Sequence, residues 1–374
     1  MKNLNLLHYG IHKNSGKNLG DKVHFFLIRE WFNQFFLPTS IKWKLKQIRN
    51  INTYQDIKNI NKNIDLILIG GGGLFLIDNK KSNVSNSGWY LNMKNNLLSK
   101  IERPVVVFAV GYNRFRKQKE FNKKFKTSIN LLNEKSIFFG LRNKGSIRKV
   151  SNYLIRPTTL SLQPCITTII KKLDYFKKIK IKVKNDKKIA IGLSADRIRY
   201  RFQNKKNLDN FIDCMEDLII FWKEKGYGVD IVLHKKIDLI LAKKINLKKV
   251  KGIHIVDLTD VSVKKAIHYY QSITLLYAMR GHNQLIAAGL CVPFFSIITH
   301  DKIKYFAEEN NLKKYSVEVS DPKFKKKIFG FSNEKNNFSK IKKILKKILI
   351  KNYHLTLRNS LIIKNKITRL NKSL

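Results

Sequence analysis

Arg280-Gly281-His282 sets a side chain that can hold an anion one residue from a side chain that can move a proton. The planar guanidinium matches a carboxylate or phosphate in two-point contact. An imidazole titrates near neutrality and can give and take a proton. The surrounding run, LLYAMRGHNQLIAAGLCVPFFSIITHDK, places them. An apolar strand over Ile273–Ala278 precedes them and a helix over Asn283–Leu290 follows, with Gly281 relieving the turn. Arg280 and His282 then sit at the strand's carboxyl edge, beside a helix N-terminus whose free N–H groups and dipole favour an anion. The next strand, Val292–Ile298, ends at Thr299-His300-Asp301-Lys302, a second strand-to-helix junction carrying a cation. A turn in which Arg280 and His282 only cap and pair would satisfy the same spacing.

Other residues recur in the same topological place. Gly70, Gly71, Gly72 and Gly73 follow the apolar run Ile64–Ile69. Glycines let a backbone approach a ligand closely and adopt positive φ. The run matches neither GxGxxG nor a phosphate loop, so a plain tight turn is equally consistent. Asp21 closes the segment Asn14–Asp21 before the first helix. It can cap that helix, the first reading, or face the cleft and touch a sugar hydroxyl. Arg142 and Ser146 follow Ile137–Leu141. Ser194, Asp196 and Arg197 follow Ile189–Leu193, and His234 follows Gly228–Leu233. Each could be an ordinary loop residue, but their shared position argues for one cleft.

The elements that position these residues alternate strand and helix, as in βαβ units of a parallel sheet. With 374 residues and 43% hydrophobic content, the chain can bury two cores. In the first half, Leu4–Tyr9, Ile41–Ile48, Ile64–Ile69, Val105–Val110 and Ser136–Leu141 read as strands, with helices over Asp21–Phe36 and near Lys117–Leu132. In the second, strands at Ile189–Leu193, Gly228–Leu233, Ile253–Val256, Ile273–Ala278 and Val292–Ile298 alternate with helices over Leu208–Lys225, Ile237–Ile245, Val261–Tyr270, Asn283–Leu290 and Asp301–Asn310. The expected division is a Rossmann-like domain over 1–170, a lysine-rich linker over 171–188, a second Rossmann-like domain over 189–330 and a basic helical tail over 331–374. Two such α/β domains facing a cleft form the arrangement called GT-B, and ligands bind outside the carboxyl ends of the strands. Apolar positions in the tail fit a helix docked on the protein, with a membrane surface as the other resting place.

Composition narrows the classes. Lys+Arg outnumber Asp+Glu by 75 to 26, a formal net charge of +49. Such a field attracts polyanions, anionic lipid and anionic substrates. The excess is mostly lysine, spread along the chain beside many Asn and Ile, and codon bias alone could produce it. No helix-turn-helix, zinc finger or aromatic RNA-binding motif is visible, so no specific nucleic-acid partner is expected. Three cysteines occur, none in a CxxC pair, which suggests neither a zinc site nor a disulfide framework. No apolar run reaches the roughly 18 residues of a spanning helix, and no signal peptide is apparent. The expectation is a cytoplasmic protein with loose contact to an anionic inner leaflet.

The run MRGHNQLIAAGLCVPFFSIITHDK resembles the C-terminal signature of the polysaccharide pyruvyltransferases: Arg-x-His after a strand, an apolar helix, a Gly-x-Pro strand and a Lys four residues past the strand end. Asn18-Leu19-Gly20-Asp21, Gly70–Gly73, Arg142 with Ser146, and His234 with Asp238 agree in order, so the resemblance runs from about Tyr9 to Phe306. It implies a GT-B-like transferase moving a pyruvyl unit from phosphoenolpyruvate to two hydroxyls of a sugar, or of a lipid-linked oligosaccharide, with release of phosphate. In that scheme Arg280, Lys302, Arg142, Ser194 and His234 serve the donor, and His282 acts as general acid then base. Asp21 and the glycines face the acceptor. No cofactor or metal is called for. Gln163-Pro164-Cys165 departs from the Asp-Pro that members often carry between the halves. The alternatives are a nucleotide-sugar glycosyltransferase on the same scaffold, which usually shows more carboxylates at strand ends, and a basic nucleic-acid-binding protein.

Overall fold

The structure, a computed structural model, describes residues 3–11, 18–36, 38–77, 86–179, 187–245, 253–334 and 336–372. Asn14–Lys17 of the first loop and residues 180–186 of the expected linker lie outside them. Continuous apolar runs become parallel strands covered on both faces, because only helix-flanked sheets bury both sides of a strand. The first sheet holds β1 (Leu4–Gly10), β2 (Ile41–Gln47), β3 (Leu66–Phe75), β4 (Val105–Tyr112), β5 (Ser136–Leu141) and β6 (Leu160–Leu162), in the order β2-β1-β3-β4-β5-β6. Its helices are α1 (Leu19–Phe35), α2 (Tyr54–Asn63), α3 (Asn95–Leu98), α4 (Lys123–Lys135), α5 (Lys144–Ser151) and α6 (Asp174–Lys178).

The second sheet holds β7 (Lys188–Gly192), β8 (Gly228–Leu233), β9 (Ile253–Asp257), β10 (Leu275–Ala278), β11 (Phe294–Ile298) and β12 (Ser316–Glu318), in the order β12-β11-β10-β7-β8-β9. Here the helices are α7 (Ile198–Arg201), α8 (Lys205–Glu224), α9 (Leu239–Ala242), α10 (Val263–Ser272), α11 (Gly281–Gly289), α12 (Asp301–Glu309), α13 (Phe324–Asn333) and α14 (Asn337–Lys372). Strand order reverses between β1 and β3 and between β7 and β10. Those are the points where an open α/β sheet leaves a crevice at its strand ends. The GT-B-like architecture expected from the alternation is the one found.

Local chemistry moved several boundaries. Asn18, not Asp21, caps α1: its side chain accepts from Gly20 N at 3.3 Å and its amide donates to Asp21 Oδ2 at 2.6 Å. Asp21 therefore lies in the first turn, its side chain only 19% exposed and its Oδ1 3.9 Å from His282 Nδ1. Asn122 caps α4, which starts later than expected. The helix expected over Ile237–Ile245 shrinks to a 3-10 turn and α9, because the Asp238 carboxylate takes the backbone N–H groups of His234 and Lys235. The four glycines are not a loop after a strand. They lie within β3, where Gly71 and Gly72 take φ of +93° and +85° and the register with β4 shifts between Gly72 and Phe75. A side chain would strain that bulge and crowd α1: a Cβ at Gly72 would stand 3.2 Å from Asp21 Oδ1.

The 36-residue α14 runs back over both sheets. Ile341, Leu345 and Ile363 join a core that is continuous from the first sheet through α1 to the second. Trp31 Nε1 donates to Ser360 Oγ at 2.8 Å, and Asn359 Nδ2 to the Leu162 carbonyl at 2.8 Å. The apolar stripe read in the tail is thus consumed by packing. Among the described residues no helix is long and apolar enough to cross a membrane.

Candidate functional site

Contacts across the cleft hold the two sheets' strand ends face to face. Arg116, after β4, donates to Asp301 at 2.6 Å and to Glu318 at 2.9 Å. Gly145 N donates to Glu309 at 3.1 Å, and Lys22 Nζ to the Val261 carbonyl at 2.7 Å. Between them lies a cavity of about 170 Å³ whose wall includes Asp21, Gly73, Asn113, Arg142, Asp196, Lys235, Arg280, His282 and Lys302.

Arg280 and His282 arrive from the end of β10. Arg280 is the N-cap residue of α11 but caps nothing with its side chain. Instead its Nη2 lies 2.9 Å from Asp196 Oδ1, after β7, and 2.5 Å from Asp238 Oδ1, after β8. Arg201, itself buried, joins through Nη2 at 2.8 Å from the same Asp196 oxygen, and its Nη1 donates to Thr299 Oγ1 at 3.0 Å. Burial alone would raise the Asp196 carboxyl, but Arg201 and Arg280 overcome it and hold the group well below the usual carboxylate range. Arg280 is thus part of a buried ion network rather than a free fork. Its Nε, buried, has no hydrogen-bond partner.

His282 is 9% exposed, and its Nε2 also lacks a hydrogen-bond partner. Burial, then Arg142, Lys302 and Arg280, push its imidazole well below the usual histidine range. The expectation that it titrates near neutrality is corrected: in this setting the ring is neutral at pH 7. Asp21 Oδ1 stands 3.9 Å from its Nδ1.

Arg142 follows β5 and lies flat against Gly111, where a Cβ would collide with the guanidinium. Its Nη2 is buried without a hydrogen-bond partner. Lys302, in the first turn of α12, reaches over the cleft and donates to Asn113 Oδ1 at 3.0 Å. Although the residue as a whole is only partly buried, desolvation of its ammonium, with Arg142 and Arg201 close by, pushes it well below the usual lysine range. Three cationic side chains and a neutral imidazole therefore share one small cavity.

The remaining sequence candidates fall elsewhere. Ser194 is buried behind the site and donates to Asp196 Oδ1 at 2.8 Å. His234 turns its Nε2 to Tyr270 Oη at 2.7 Å and does not line the cavity; its partner Asp238 meets Arg280 instead. Of the four β3 glycines Gly73 alone reaches the wall. Asn113 was missed, although it directly follows β4 and the strand-end rule would have found it. Arg201, His24 and Cys165 were missed because only tertiary packing brings them near.

The sequence profile of the polysaccharide pyruvyl transferases matches residues 17–301. The chain belongs to that family. It is therefore a transferase of polysaccharide biosynthesis that acts on a sugar acceptor. No curated protein matches the chain. Among solved structures, the UDP-GlcNAc 2-epimerase from Neisseria meningitidis bound to UDP-GlcNAc is 11% identical, with 98% of this chain and 100% of that chain covered and a TM-score of 0.57. The S. aureus MnaA–UDP structure is 10% identical over 95% of this chain and 98% of that chain, with a TM-score of 0.55. The wall teichoic acid polymerase TagF is 10% identical over 99% and 90%, with a TM-score of 0.52. At these identities the likeness shows the GT-B-like fold.

Proposed function

We propose that this transferase moves the pyruvyl unit of phosphoenolpyruvate onto two hydroxyls of one sugar, closing a pyruvate ketal and releasing phosphate. The observation that carries the reading is the gathering of Arg142, Arg280 and Lys302 around His282 in one cavity. A donor with both a carboxylate and a phosphate gives those cations something to neutralise. Arg142 and Lys302 act as the anion clamps, while Arg280, held by Asp196 and Asp238, offers its Nε from a fixed position. Two hydroxyl protons must leave the acceptor. One ends on the donor's terminal carbon, which becomes a methyl group, and the other departs with phosphate. His282, neutral before the donor arrives, accepts a proton from one hydroxyl and delivers it, with Asp21 beside its Nδ1. The acceptor is a sugar of a surface polysaccharide or its precursor, lipid-linked or free. The +49 charge supports peripheral contact with an anionic membrane that carries such a precursor.

The test is phosphate release from phosphoenolpyruvate in the presence of candidate acceptors, with mass spectrometry to detect one added pyruvate ketal. His282→Ala should abolish turnover without unfolding the protein. Failure to bind phosphoenolpyruvate, alongside tight binding of a nucleotide sugar, overturns the reading in favour of a glycosyltransferase.

A further inference from the structure

No sequence spacing links His24, Cys165 and His282, yet the fold brings them together. His24 stands in the second turn of α1, Cys165 after β6 and His282 in the first turn of α11. One candidate ligand atom from each lies within 4.8 Å of the other two, and all three residues are buried. His24 Nδ1 is 3.6 Å from Cys165 Sγ. A zinc ion bound at about 2.3 Å to sulfur and about 2.0–2.1 Å to nitrogen separates those two ligands by about 3.6 Å at a tetrahedral angle. The His24 and His282 rings meet edge to face at 5.6 Å, and Nε2 of each is buried without a hydrogen-bond partner. Asp21 Oδ1 stands 3.9 Å from His282 Nδ1 but is not part of this cluster.

We propose that His24, Cys165 and His282 form a three-ligand site, with water in the fourth position, for a borderline-soft divalent ion of the zinc class, and that filling it switches transfer off by occupying His282. Imidazole nitrogen and thiolate sulfur are ligand types zinc takes, and three protein ligands with a fourth position open to water are an arrangement it adopts. The nearby cations Arg142 and Lys302 oppose a bare divalent charge. The Cys165 thiolate formed on binding cancels one of the ion's two charges, so filling the site adds one. Binding breaks the Cys165 S–H bond and forms a metal–sulfur bond, and the proton leaves to solvent. The inhibitory half of the proposal rests on the proton-handling role given to His282 above; the site itself does not.

Cobalt(II) titrated into metal-free full-length protein tests the site without donor or acceptor. The expected result is a sulfur-to-cobalt charge-transfer band with tetrahedral d–d absorption, saturating at one ion per chain and bleached by zinc. Cys165→Ser should remove the charge-transfer band, and His24→Gln should weaken zinc binding by at least about tenfold. Should one variant fail to fold, the other decides. Absence of the band, or zinc binding unchanged in both variants, overturns the site. Stoichiometric zinc that leaves phosphate release untouched overturns the switch. Because the cobalt spectrum needs no substrate, failure of the pyruvyl-transfer reading leaves this test intact.

Discussion

The His282 ring rests directly on Gly20: a Cβ at position 20 would fall inside the imidazole. The residue proposed to move protons on the second sheet is thus seated by a backbone position on the first sheet's α1. Gly20→Ala should therefore displace His282. Alanine suits a helix better than glycine, so α1 itself should not suffer. The expected outcome is a loss of about 10–100-fold in turnover with an intact fold, read by steady-state kinetics and circular dichroism. Gly330→Ala in α13, where an added Cβ meets nothing within 4 Å, is the control and should leave turnover unchanged. Equal loss in both variants would refute the seating.

Lys302 sets function against stability. Its ammonium is desolvated beside Arg142 and Arg201, with one neutral acceptor, Asn113. Lys302→Met keeps much of the volume and removes the charge. Donor affinity should fall by about tenfold or more, as for loss of one charge-assisted contact. The melting temperature should hold or rise, since an unfavourable buried cation is gone. Calorimetry and a thermal melt on the same sample separate the two, and a variant that loses stability but keeps the donor would contradict this account.

The same burial predicts proton uptake. Lys302 lies well below its ordinary range because the charged form is disfavoured by desolvation and by neighbouring cations. A bound dianion reverses the second cause, so its pKa rises on binding. Protons are then taken up, and affinity increases as pH falls through the range between the free and bound values. Calorimetry in buffers of different ionisation enthalpy measures the number directly. A buffer-independent heat would exclude the mechanism.

Arg280 illustrates what the sequence disclosed and what it could not. The apolar run before it and the helix after it were legible, because a strand covered on both faces reads as unbroken Leu, Ile, Val and Phe. Its place at a strand end followed, as did those of Arg142 and Lys302. Its partners did not: Asp238 lies 42 residues away, and nothing in either segment announces the pair. The contact of His24 with Cys165 spans 141 residues and depends on how α1 meets the segment after β6. The four glycines read as a turn because their usual role is a turn. In β3 they serve instead to let α1 bring Asp21 close to the sheet.

The Arg280 network predicts that Arg280→Ala is first a folding defect. Removing the guanidinium leaves Asp196 and Asp238 facing each other without their shared cation. Breaking one side of a buried ion pair typically costs about 3–5 kcal/mol. Chemical denaturation should show a loss of that order, partly recovered by adding Asp238→Asn. A variant that loses donor binding with full stability would instead give Arg280 the free clamp role read from its sequence context.

Four buried histidines, His24, His282, His234 and His300, lie well below the ordinary histidine range and set the acid limit. Among them, His234 is held there through burial and then Arg280 and His282, and His300 through burial and then Lys302 and Arg201. In the unfolded chain each titrates near 6.5. Below that pH the unfolded state binds protons that the folded state refuses, so stability is full above about 6.5 and falls as pH drops. Four protons correspond to a slope of up to about 5.4 kcal/mol per pH unit. The midpoint of denaturant unfolding should therefore move sharply between pH 7 and pH 5, before most carboxylates begin to titrate. His234→Gln keeps a polar partner for Tyr270, 2.7 Å from His234 Nε2, and removes the titrating group. It should lower the slope by about a quarter, and an unchanged slope would place the acid sensitivity elsewhere.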